Sequence, residues 1–330
     1  MKLTLMKRFF DTVDEEWRSP IADEIVAMWL RGEKAVRVLR ASANFVAVVN
    51  HAERKYFLRF NHSNERTAEF IEAELRYIRH LASKGIRANR PVRSLSGRYV
   101  ESVSTEMGVF HAVLFEAAEG VHHELADLDL DGFERWGRAL GEVHRASVGY
   151  RDLAIPDWTD RAATVRQVLP ETEEVILKEL EAAEKRLKAL QVSDRNYGIT
   201  HNDFELDNLL WEDEAVSVID FDDCARHWFV MDFACALQDL FEEHSGGFDM
   251  AEERFAAFLR GYRSVRMMSD EEIALIPLFV RLDKIYVYAR LHRSILEGPE
   301  PGEPQWTTDL RDKLRKVNEA CLRDIVDNPL

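Results

Sequence analysis

Hydrophobic and polar positions follow two periods along this chain, and the change from one to the other divides it. Residues 21–32, IADEIVAMWLRG, space their apolar side chains three and four apart and end at Gly32, which predicts an amphipathic helix. VRVLRASANFVAVVN (36–50) and KYFLRFN (55–61) are rich in β-branched and aromatic residues. Ala41-Ser42-Ala43-Asn44 and His51-Ala52-Glu53-Arg54 interrupt them, so successive strands joined by hairpin turns are expected. TAEFIEAELRYIRHLASKG then predicts a helix, with Phe70, Leu75, Ile78 and Leu81 on one stripe and Gly85 as its stop. PVRSL, YVESV and HAVLFEA read as further short strands.

Beyond Gly120 the helical period dominates: DGFERWGRALGEVHRAS, VILKELEAAEKRLKAL, DFACALQDLFEEH, ERFAAFLRGYRS, EIALIPLFVRLDKIYVYARLHRSIL and DLRDKLRKVNEACLRDIV. The expected class is therefore α+β with two lobes: a β-rich lobe with an initial helix over 1–116, and a helical lobe over 117–330. Leu114 to Ala118 is the expected crossing. If the cleft between such lobes takes an adenine, backbone groups of Glu116 and Ala117 can bond the base while Phe115 covers its face; as a plain connector the same residues need no ligand.

Composition narrows the choice. With 46% apolar and 32% charged residues in 330, the chain is long enough for a large core or two. A formal charge of −16 disfavours a nucleic-acid footprint. No apolar run is long enough to predict a membrane span, and no secretion signal is evident, so a cytoplasmic protein is expected. Cys224, Cys235 and Cys321 are too scattered for a disulfide framework or a zinc pair.

The chemistry concentrates in THNDFELDNLLWEDEAVSVIDFDDC, residues 200–224, where carboxylates interleave with apolar runs. Asp203 follows a strand ending at Ile199 and can take a proton from a hydroxyl. Asn208 offers an amide oxygen to a metal and an amide nitrogen to a neighbour. Asp220 follows VSVI, where packing can fix its carboxylate. One base and two oxygen ligands suit phosphoryl transfer with magnesium, whose shell is completed by water and nucleotide phosphates.

These motifs, HNDFELDN followed by IDFDD, resemble those of the aminoglycoside-phosphotransferase family, within the protein-kinase-like small-molecule kinases that include choline-kinase-like and homoserine-kinase-like members. The resemblance implies a bilobal protein-kinase-like fold that uses ATP and Mg2+, with Asp203 as catalytic base, Asn208 and Asp220 as metal ligands, and His201 shaping the loop. It also implies that Asp232 supports the helical lobe, that Arg59 in YFLRF is the phosphate-contacting strand cation, and that Glu74 is the helix acid orienting it; Glu69 and Glu72 are alternatives. ASAN lacks the G-x-G-x-x-G loop of protein kinases. Ser42 and Asn44 are its candidate phosphate contacts, and an ordinary turn explains them equally well.

The remaining departures concern the acceptor. Asn202 stands where the family usually has Gly, which raises the question of how its side chain is accommodated. Glu205 fits a cationic acceptor if it faces the cleft. Asp222, Asp223 and Glu242 are further candidates for substrate binding, with Glu243 and Asp239 beside them. Asp222 and Asp223 are expected to face opposite ways, as neighbours in an extended run do. The expected function is phosphorylation of a hydroxyl on a small, amine-bearing metabolite such as an amino acid, amino alcohol or aminoglycoside. The alternative is a noncatalytic nucleotide-binding regulatory protein of the same fold. The aromatic helices suit either the core of one chain or the face of a homodimer.

Overall fold

Alternation of buried and exposed side chains on Ala35–Ala41 (β1), Phe45–His51 (β2), Arg54–His62 (β3), Glu101–Thr105 (β4) and Gly108–Glu116 (β5) builds one antiparallel sheet in the order β1-β2-β3-β5-β4. This is a computed structural model, and it describes residues 1–242, 249–299 and 302–328. The β2–β3 turn uses positive φ at Ala52 and Glu53, the backbone hand that matches strand twist in a tight hairpin. In register, β3 places Arg59 opposite Val46 of β2 and Val113 of β5. Phe45, Phe60 and Phe110 share the buried face with Phe9, whose ring centre is 4.4 Å from that of Phe45. Each such ring contributes roughly 1.5–3 kcal/mol by leaving water.

The sequence pattern gives no warning of Leu3–Phe10, the helix that brings Phe9 to this core. PVRSL, expected to be a strand, joins the sheet through no more than an isolated bridge from Pro91 to Phe115 and a bond from the Val92 N–H to the Leu114 carbonyl, because proline has no N–H to extend a ladder. These elements belong to a compact unit of Met1–Arg79, Asn89–Ala118 and Leu291–Lys316.

The second unit comprises His80–Ala88, Glu119–Arg290 and Val317–Leu330. At its centre Leu130–Ser147 packs on Glu253–Arg263. A Cβ added to Gly137 would lie 1.9 Å from the Phe258 carbonyl oxygen, and one on Gly261 would lie 1.8 Å from that of Glu134. Only glycine permits this approach. The run expected to be one helix from residue 272 divides into Asp270–Ile273 and Ile276–Ile295, with Pro277 in the first turn of the latter. Likewise 232–244 yields Val230–Ala236 and Gln238–Glu242. Trp158–Val168 is a helix without a clear apolar stripe, started by Asp157, whose side chain and that of Asp160 cap each other's backbone N–H groups. Among the described residues no helix is long and apolar enough to cross a membrane, and no disulfide joins Cys224, Cys235 or Cys321.

Two small antiparallel pairs complete this unit: Tyr197–Thr200 with Ala225–Trp228, and Leu209–Glu212 with Ala215–Val218. Their pairing Thr200↔Ala225 and Leu209↔Val218 pins both ends of the connections 201–208 and 219–224. Those connections therefore lie side by side.

Candidate active site

The loop after Thr200 hangs from one buried carboxylate. Asp232 Oδ2 accepts the His201 N–H at 2.8 Å, and its Oδ1 accepts the Asn202 N–H at 2.6 Å. His144 Nε2 lies 2.8 Å from Oδ2, and His144 Nδ1 is 2.9 Å from the Tyr262 hydroxyl. Burial opposes ionisation of Asp232, but its bond with His144 and the backbone donor hold its carboxyl below the usual range. His201 adds a bond from Nε2 to the Ile219 carbonyl oxygen at 3.0 Å, which ties the two neighbouring connections together.

Asn202 adopts φ +62°, a left-handed backbone that asparagine tolerates better than most side chains. Its side-chain amide donates to the Asp223 carbonyl at 3.0 Å. The residue standing where glycine was expected thus keeps glycine's backbone and uses its side chain as a tie.

Asp203 is held by Asn208, whose Nδ2 donates to the Asp203 carbonyl at 2.9 Å and to its Oδ2 at 2.7 Å. Burial, followed by the charge of Asp223, raises the Asp203 pKa, while His201 and Arg290 act against the shift. The Asn208 carbonyl accepts the Ile219 N–H at 3.0 Å, so Asp220 is one residue from the metal-ligand candidate Asn208 by this route. Asp220 itself has a left-handed backbone, φ +61°.

Among the described residues no group of three His, Cys, Asp or Glu side chains could hold a metal alone. The donor set nevertheless fits magnesium, which keeps most of its shell as water and phosphate oxygen and takes one or two protein oxygens. With its nitrogen committed to Asp203, the Asn208 amide turns its oxygen edge elsewhere, and Asp220 supplies a carboxylate.

Residues 221–223 form a 3-10 turn, not the extended run expected. Asp222 is 4% exposed, whereas Asp223 is half-buried with Arg290 Nη1 at 3.5 Å from its carboxylate. Glu205 is half-buried; burial and then the charges of Asp203, Asp239 and Asp283 push it up to about 7. The side chain of Glu242 and all of Glu243 lie outside the described residues.

In the first unit Arg59 Nη2 meets Glu74 Oε2 at 2.5 Å, with the two residues 6% and 1% exposed. Glu69 and Glu72 are on the solvent side of the helix Ala68–Ser83. The Arg59 guanidinium is 5.3 Å from the ring centre of Phe115. Ser42 is exposed and its N–H donates to the Asn44 carbonyl, while the buried Asn44 side chain accepts from Asn61 at 2.5 Å. The N–H groups of Glu116 and Ala117 donate to the carbonyls of Arg90 and Lys55.

Three residues escaped the sequence reading: Arg161, Asp283 and Arg290. Asp283, Tyr286 and Arg290 recur at the spacing of one face of Ile276–Ile295, a polar stripe along that helix. That stripe, and the Asp157–Asp160 caps ahead of Arg161, were the available signals.

Comparisons with known proteins show which family the chain belongs to. The phosphotransferase enzyme family matches residues 35–268. Amicoumacin kinase of Bacillus subtilis (strain 168) is 27% identical over 281 residues, 82% of this chain and 83% of the relative. Homoserine kinase of Granulibacter bethesdensis is 27% identical over 205 residues, 60% of this chain and 62% of that protein. Among solved structures, amicoumacin kinase hAmiN in complex with AMP-PNP, Ca2+ and Ami has a TM-score of 0.75 at 25% identity, covering 95% of this chain and 96% of that one. A microcompartment-associated aminopropanol kinase has a TM-score of 0.69 at 23% identity, covering 93% and 97%. The family match spans most of the chain, including both connections of the candidate site, and the chain therefore belongs to the phosphotransferase enzyme family.

Proposed function

We propose that this protein is an ATP- and magnesium-dependent kinase that phosphorylates a hydroxyl of a small, amine-bearing molecule. The observation that carries this reading is the Asp203–Asn208 clamp, which leaves a carboxylate oxygen and an amide oxygen beside the connection bearing Asp220. The amicoumacin kinase complex with AMP-PNP and Ca2+ supports a nucleoside triphosphate and a divalent cation, and the homoserine kinase supports a small hydroxylated acceptor.

In this reading Asp203 orients the acceptor hydroxyl and receives its proton. The acceptor oxygen forms its bond to the γ-phosphorus as the bond from that phosphorus to the ADP oxygen breaks. Asn208 and Asp220 would hold magnesium, whose charge neutralises that of the phosphates. Arg59, fixed by Glu74 and backed by Phe115, contacts nucleotide phosphates as a cation that burial has already oriented. Glu205, Asp222 and Asp223 give the acceptor side its negative character.

The test combines purified protein, ATP, magnesium and pools of small hydroxy compounds, with mass detection of phosphate-added products. A product is expected with the wild type and not with Asp203→Asn, which retains nucleotide binding. No product across a broad pool, together with nucleotide binding indifferent to Asp220→Asn, overturns the reading in favour of a noncatalytic nucleotide-binding protein.

A further inference from the structure

Arg161 and Asp283, both half-buried, carry opposite charges into the same region of the second unit without forming an ion pair. Among the described residues no carboxylate lies within 4.0 Å of Arg161, and its Nη1 is buried with no hydrogen-bond partner. The guanidinium is 4.9 Å from the ring centre of Tyr286, a residue 8% exposed whose hydroxyl is likewise buried and unpartnered. Among the described residues Asp283, one helical turn before Tyr286, receives only the thiol of Cys235, at 3.8 Å. Burial raises the Asp283 pKa, Arg290 and Arg161 oppose the shift, and Asp203 adds to it, so these groups feel one another's charge.

Buried charges left apart cost more than charges that close on each other, unless something between them completes the pairing. The groups left over comprise the Nη1 donor of a guanidinium, a hydroxyl donor and a carboxylate acceptor. An amine alone satisfies Asp283 and leaves Arg161 unmatched; a carboxylic acid alone does the reverse. The helix also fixes where this region lies. Arg290, seven residues after Asp283 on the same face and about 10 Å along the axis, reaches Asp223, whose carbonyl is tied to Asn202 beside Asp203.

We propose that Arg161, Tyr286 and Asp283 form the far end of the acceptor site and select a compact zwitterion, a hydroxylated amino acid. Its carboxylate accepts from the Arg161 guanidinium and the Tyr286 hydroxyl, and its ammonium donates to Asp283, leaving its side-chain hydroxyl for Asp203. The inference rests on the kinase reading for the reaction, and on these three side chains for the acceptor.

The experiment compares matched acceptors: L-homoserine with 3-amino-1-propanol and 4-hydroxybutyrate, and L-serine with ethanolamine and 3-hydroxypropionate. Each is incubated with wild-type protein, ATP and magnesium, and kcat/KM is obtained from the phosphorylated product. The wild type is expected to favour one amino acid over its carboxylate-free partner by at least about 100-fold, because a site built for a polar group rejects the analogue lacking it. Arg161→Met should reduce that preference below about 10-fold without changing nucleotide binding, and Arg161→Lys should retain part of it. Asp283→Asn should erase the preference for the amine. Thermal melting establishes that each variant is folded.

Equal use of the amino alcohol, or an undiminished preference in folded Arg161→Met and Arg161→Lys, overturns the inference and leaves the kinase reading intact. So does phosphorylation of a larger amine with no transfer to any amino acid. If nothing is phosphorylated, calorimetric titration of both amino acids in the presence of AMP-PNP and magnesium decides. Arg161-dependent binding supports the acceptor site and counts against the kinase; absence of binding rejects the acceptor site.

Discussion

Asn208 grips Asp203 twice, through the carbonyl at 2.9 Å and the carboxylate at 2.7 Å, with a single amide nitrogen. One side chain thereby fixes both the backbone and the carboxylate of the proposed base. Asn208→Ala should lower kcat for phosphoryl transfer by roughly 10²–10⁴-fold. The fall should appear in single-turnover phosphate transfer, with far-ultraviolet circular dichroism unchanged. A loss below about 10-fold would mean that Asp203 holds its position unaided.

Asp232 carries more structural weight. Asp232→Asn replaces a carboxylate that accepts two backbone N–H groups and meets buried His144. One carboxylate oxygen becomes a donor facing donors. The expected destabilisation is about 3 kcal/mol, read as a shift in the urea midpoint, with activity lost at temperatures where the wild type still works.

Acid should unfold this protein early. Burial, helped by the charge of Arg161, lowers His227 from 6.5 to about 3, and burial also lowers His144. Between these values the unfolded chain binds a proton that the folded chain refuses. Stability is therefore full above about pH 6.5 and declines as pH falls toward 3. His227 alone implies a loss of about 3 kcal/mol at pH 4. Urea melts from pH 7 to pH 4 should show this slope, and His227→Gln should flatten it.

The left-handed backbone at Asn202 makes a paired prediction. Asn202→Gly should keep the loop near its wild-type stability, because glycine accepts φ +62° without a Cβ penalty. Asn202→Ala should cost about 1–2 kcal/mol, since it loses the Asp223 tie and gains nothing in the backbone. Thermal melts of the two variants side by side provide the measurement.

How much of this was legible depended on how local each signal is. β2 and β3 were readable because strand period and turn residues occur in one short window. Asp203, Asn208 and Asp220 were nameable because two loops between short strands keep them close in sequence. Leu3–Phe10 and Trp158–Val168 were missed: the first precedes any capping signal, and the second buries few side chains, so its Asp157–Asp160 caps were the only strong mark. Asp283 and Arg290 come more than 60 residues after Asp220, on a helix whose polar residues read as solvent-facing until the fold shows which face turns inward. Glu205 was noticed as an acid, but its half-buried neighbourhood of carboxylates arises from Asp239 and Asp283, which only folding gathers.

The two short ladders beneath the site also determine where the chain tolerates editing. Leu209–Glu212 and Ala215–Val218 pair with Leu209↔Val218 at the inner rung, so their turn at Asp213–Glu214 points away from the chemistry. Length added at that turn leaves the inner rungs undisturbed. A single residue inserted between His201 and Asn208 instead changes the span between Thr200 and Leu209, both already locked to partners. For anyone grafting a reporter, splitting the chain or shuffling segments between relatives, the usable seam is the hairpin tip, and the eight residues from His201 to Asn208 are best transferred as one block.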